Sequence, residues 1–92
     1  MHINDLLKQA REIWGEEKLT EEQIVVRMGK VFGDICRHAR NEASDKEMHT
    51  QEELEKEFGN MIFSTIRWAD DLGLDPETCV AKAIETQRKY TK

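Results

Sequence analysis

The stretch "VVRMGKVFGD", residues 25–34, carries Arg27 and Lys30 one helical turn apart, beside Gly29 and Gly33. Cations at this spacing share the polar side of a helix. They suit phosphate oxygens: arginine offers a planar fork for bidentate contacts, and lysine adds a compact point charge. Other chemistry finds little support. No serine, cysteine or lysine has a neighbouring base at a recognisable spacing for covalent catalysis. "GKVFGD" lacks the preceding strand that a phosphate-cradling glycine loop requires. His2, His38 and His49 are scattered, and Cys36 and Cys79 form no CxxC pair, so no zinc site is expected. The two thiols read as small buried hydrophobes in reduced form.

Positioning these residues falls to four predicted helices. The first runs from about residue 4 to residue 14, with Leu6, Leu7, Ala10, Ile13 and Trp14 on one stripe and Gly15 as its stop. The second starts at Thr20, where "TEEQ" reads as a capping box closed by Gln23. Its apolar positions run from Ile24 and Val25 through Phe32 to Ala39. The third starts at Thr50 with a second capping box, "TQEE", after a polar connection over residues 42–49. The fourth starts at Asp75, with Pro76 at the first helical position. Nothing alternates with period two over a useful length, so no sheet is expected. The fold class is all-α, four helices around one core, in a single domain over residues 1–92.

On the third helix, Leu54, Phe58, Met61, Ile62, Thr65, Ala69 and Leu72 form the face expected to enter the core. Glu53, Glu57, Asn60, Ser64 and Asp71 form a polar stripe along one edge, and Phe63 points away from the core. Gly29 and Gly33 each cost a helix interior about 1 kcal/mol relative to alanine, which suggests close approach of another helix. Trp14 and Trp68 read as core or interface residues.

Composition bounds the partners. Hydrophobic residues make up 38% and charged residues 36% of the 92, too apolar for a disordered chain. The net charge of -5 argues against a nucleic-acid partner, since phosphate backbones need a basic surface. No apolar run approaches the roughly 20 residues that span a bilayer, so no membrane partner is expected. "MHINDLLKQAREIW" is charged throughout and holds no signal-peptide core, so a cytoplasmic location is expected. A chain this short has a small core, and the exposed Phe63 adds to the expectation of a homodimer or higher homo-oligomer.

The stretch "KEFGNMIFSTIRWADDLGLDPETCVAKAI", residues 56–84, resembles the MazG-like all-α nucleoside-triphosphate pyrophosphohydrolases. In that family an E-E-L-G/A-D-V-L segment leads through A-D/E-x-L-G-I-D to a final helix. "WADDLGLDPE" follows that pattern, and "VRMGKVFGD" corresponds, around Gly29, to the family's E-E-x-G-E. The resemblance spans about residues 4–90 and implies a four-helix MazG-like bundle completed by dimerisation. It also implies a magnesium cage of four carboxylates, two from E-x-x-E and two from E-x-x-D, with the metal orienting water for attack between the α and β phosphorus.

Carried over, the first pair of acids falls on Arg27 and Lys30, and the second on Glu57 and Asn60. Glu57 alone keeps its carboxylate. Asn60 keeps a carbonyl oxygen, but arginine and lysine offer no acceptor. A magnesium ion there would meet two cations, each repulsion costing on the order of 4 kcal/mol at about 4 Å and an effective dielectric near 20. The expectation is no metal, no cofactor and no catalytic residue. Arg27 and Lys30 would instead face Glu57 as an intramolecular charge pair, with Gly29 and Gly59 letting the helices approach. The chain reads as a MazG-like module that has lost hydrolysis and acts as an oligomeric binding or scaffold unit. One alternative is a magnesium-dependent pyrophosphohydrolase with displaced ligands, from Asp34, Glu53 and Glu57, with Asp70 and Asp71 also at hand. The other is a metal-free nucleotide or phosphate binder using Arg27, Lys30, Lys82 and Lys89. The two lysines stand where the family's closing K-x-x-x-N-x-x-R has its lysine and arginine, with Thr86 in place of the asparagine.

Overall fold

The computed structural model describes residues 1–40 and 50–90, and the expected connection at residues 42–49 lies outside them, as does His49. The elements are α1 (Ile3–Trp14), α2 (Glu21–Arg40), α3 (Gln51–Asp71) and α4 (Pro76–Tyr90). Among the described residues there is no strand.

Local chemistry accounts for the helix ends. Gly15 stops α1 at φ 78°, a conformation that costs an L side chain, and its N–H donates to Arg11 O at 2.7 Å. Both halves of the first capping box form: Gln23 N donates to Thr20 Oγ1 at 3.3 Å, and Thr20 N donates to Gln23 Oε1 at 2.9 Å. At α3, Glu53 N donates to Thr50 Oγ1 at 3.1 Å, while the Glu53 carboxylate turns instead to Lys56. Gly73, at φ 77°, makes the turn into α4. Asp75 caps α4 by accepting from Thr78 N at 3.1 Å and Thr78 Oγ1 at 2.7 Å.

α3 is the central element: α1, α2 and α4 all pack on it, and α1 also touches α4. Its orientation departs from the one its apolar pattern predicts. Glu57, Ile66, Arg67, Trp68 and Asp71 are its buried residues. Phe58, Ile62 and Leu72, expected in the core, are exposed. The predicted polar edge therefore faces inward, and Phe63 is half-buried rather than outward. A network of charges explains this setting. Arg11 Nη2 donates to Asp71 Oδ1 at 2.6 Å and also to Asp70 Oδ2, and Lys18 Nζ reaches the same Asp70 oxygen at 3.1 Å. The Asp71 side chain is fully buried, so its charge must be paired from within the chain.

The remaining core is small. Its buried apolar residues are Ala10, Ile24, Ile66 and Trp68. Ile13 and Trp14, expected on the inner stripe of α1, are exposed, as are Val25 and Phe32 on α2. Cys36 is half-buried and Cys79 exposed, so the thiols are not both core residues. The helical glycines do not mediate close packing within the chain either. Nothing lies within 4 Å of a Cβ placed on Gly29, Gly33 or Gly59.

The Asp70 carboxyl is held below its ordinary pKa, chiefly by the hydrogen bond from Arg11, with Lys18 adding to the effect. A carboxylate whose pKa is depressed on folding contributes stability that is full above its unfolded value and is lost as pH falls through the folded value. Urea unfolding midpoints of the wild type should therefore hold steady above about pH 5 and fall steeply below about pH 4. Asp70→Asn should be less stable at neutral pH and show a shallower acid limb. Parallel limbs in the two proteins would contradict the role given to Asp70.

Candidate functional site

Most of the residues singled out by the sequence lie on α2 and α3, which pack together. The structure brings together one subset and separates another. Lys56 on α3 feels the charge of Asp34 on α2 as well as those of Glu53 and Glu57 on its own helix. Lys56 Nζ stands 2.9 Å from Glu53 Oε2. The Lys56 ammonium is held above its ordinary pKa by that hydrogen bond first, with further attraction from Glu57 and Asp34. Asp34 also accepts from Arg37 Nη2 at 2.9 Å. Among the described residues no group of three or more histidines, cysteines or acids is arranged to hold a metal ion.

Asp70 and Asp71 are occupied as well. Arg11 and Lys18 engage Asp70, and Arg11 engages Asp71.

The four positions that the resemblance maps onto a metal cage do not share one environment. Glu57 is buried, whereas Arg27, Lys30 and Asn60 are exposed. Among the described residues no ion pair joins Glu57 to Arg27 or Lys30, so the expected charge pair is not formed. Glu57 Oε2 is buried without a hydrogen-bond partner. The reason is geometric: the turn of α3 that carries Asp71 inward carries Glu57 inward too, while Arg27 and Lys30 keep their long side chains in solvent. Lys82 and Lys89 lie on α4, which packs on α3 and α1, and Lys89 pairs with Glu85 at 3.6 Å.

Arg27 has a different neighbour from the one the sequence suggests. It lines an open pocket of about 310 Å³ together with Trp14, Leu19, Gln23 and Arg67. The Arg67 guanidinium carbon sits 4.7 Å from the centre of the Trp14 ring, a cation–π contact. Arg67 escaped sequence reasoning because it stands inside an apolar run. The available signal was its spacing to Asp71, four residues on, with which it forms a loose 3.8 Å contact.

Compared with models of protein families, with curated proteins and with solved structures, the chain matches none. The likeness to MazG-like enzymes rests on the motifs quoted from the sequence.

A buried carboxylate without a partner costs stability. Glu57→Gln keeps the shape and removes the charge. Its unfolding free energy should equal that of the wild type or exceed it by about 1 kcal/mol. A loss of more than about 1 kcal/mol would mean that the carboxylate is paired after all.

Proposed function

We propose that the chain is a MazG-like helical module that has lost metal-dependent hydrolysis and works as a homo-oligomeric binding or scaffold unit. A second copy covers the apolar faces of α2, α3 and α4. The observation that carries this reading is the outward apolar face of α3. Phe58 and Ile62 are 50% and 61% exposed, and Val25 and Phe32 on α2 are 60% exposed each. The face continues into an apolar groove of about 470 Å³ between α1, α3 and α4, lined by Ile3, Met61, Ile62, Pro76, Cys79 and Val80. Large contiguous apolar surface on a small chain marks an interaction site.

Surface area and shape support the same reading. A monomer of 10.8 kDa with an ordinary core exposes about 5,500 Å². This chain exposes 7245 Å². The difference, about 1,700 Å², is the size of one subunit's share of an obligate homodimer interface. The radius of gyration is 15.2 Å, against about 12 Å for a compact domain of this length.

The loss of hydrolysis is supported by the cations. Arg27 and Lys30 stand where the resemblance implies acids, and Lys56 pairs with Glu53, one of the acids that remain. With magnesium and a panel of nucleoside triphosphates, the protein should release no pyrophosphate above the uncatalysed background. Metal-dependent release would overturn this part of the reading and return attention to Asp34, Glu53 and Glu57.

The assembly is tested by sedimentation equilibrium. The wild type should sediment at twice 10.8 kDa or more. The double variant Phe58→Glu, Ile62→Glu places charges on the outward face of α3 and should shift the mass to that of one chain. A wild type that is monomeric, or a double variant with unchanged mass, would contradict it.

A further inference from the structure

Arg67 is 6% exposed, and its Nε is buried without a hydrogen-bond partner. A buried guanidinium ordinarily distributes its five donors among acceptors. This one donates no hydrogen bond to any described residue. Its Nε faces Asp71 Oδ2 at 3.8 Å, an ion pair too long for a hydrogen bond, while Arg11 takes the other oxygen of Asp71. Arg67 instead lines the pocket that it shares with Arg27. Burial depresses its pKa, the charge of Asp71 opposes this, and the positive charges of Arg27 and Arg11 add to the depression. An arginine stays charged regardless. Two like charges therefore line one pocket, one of them desolvated.

The rest of the lining suits an anionic guest. Glu17, the one acid there, forms no ion pair with either arginine among the described residues. Gln23 spends its Oε1 on the capping bond to Thr20, which leaves its amide hydrogens for a ligand. Trp14 supplies an aromatic wall that is itself 58% exposed. In the lining itself two arginines, Arg27 and Arg67, stand against one acid, Glu17, although the whole chain carries a net charge of -5.

We propose that the pocket between α1, α2 and α3 binds a small oxyanion, a phosphate or a carboxylate group, held by Arg67 and Arg27 against Trp14. A planar guanidinium edge meets either group with two parallel hydrogen bonds, and the bound charge relieves the repulsion between the two arginines. The pocket lies within one chain, so this site does not rest on the assembly proposed above.

The test is calorimetric titration of the full chain with inorganic phosphate and, separately, with citrate, at an ionic strength fixed by chloride. Saturable binding of phosphate, of citrate or of both is expected, and the stronger of the two identifies the group. Arg27→Gln, at an exposed position that leaves the fold intact, should weaken that binding by about tenfold or more. Arg67→Met, which keeps the buried apolar length, should abolish it. Lys30→Gln, one turn from Arg27 but outside the lining, should leave affinity unchanged. No saturable heat with either anion would overturn the proposal, as would equal affinity in the wild type and Arg27→Gln.

Discussion

The setting of α3 depends on Arg11. Its guanidinium comes from α1 and meets Asp71, whose side chain is wholly buried, and Asp70 beside it. A buried carboxylate is tolerable only when paired, so Asp71 must face α1. On a helix that single requirement fixes every other position. Glu57 and Trp68 turn inward with Asp71, and Phe58, Ile62 and Leu72 turn outward. One ion pair, formed across 60 residues of sequence, thereby sends the most apolar face of the longest helix to the surface.

Much of the fold was legible in the sequence. The stops and starts of the helices follow from residues acting on their immediate neighbours: Gly15, the Thr20–Gln23 box, and Asp75 before Pro76. The rotation of α3 was not legible. A rule that sends apolar residues inward assumes one interior, whereas a chain that assembles has a second interior between subunits. Leu54, Phe58 and Ile62 form a real apolar face, but the ion pair decides which of the two interiors it serves. The same inversion explains the half-buried Phe63.

The candidate site was legible only in part. Among the described residues Asp34, Glu53 and Glu57 form no group arranged to hold a metal. Lys56, between the two glutamates on the same helix, pairs with Glu53 and feels the charges of Glu57 and Asp34. The pairing of Arg27 and Lys30 with Glu57 was not formed, because a buried position and two solvent-facing ones do not meet on adjacent helices. Arg67 was missed altogether. Its role emerges only when Trp14, more than fifty positions earlier, folds over it and Arg27 arrives from α2.

Assembly through the outward face of α3 is the claim on which the rest of the account turns, since the chain's own core is too small to cover that face. The most direct measurement is the molecular mass of the wild-type protein from small-angle X-ray scattering across a dilution series. The account predicts a mass of at least twice 10.8 kDa, with a radius of gyration above the 15.2 Å of a single chain. A mass of one chain at every concentration would contradict it, leaving a monomer that keeps Phe58 and Ile62 in water.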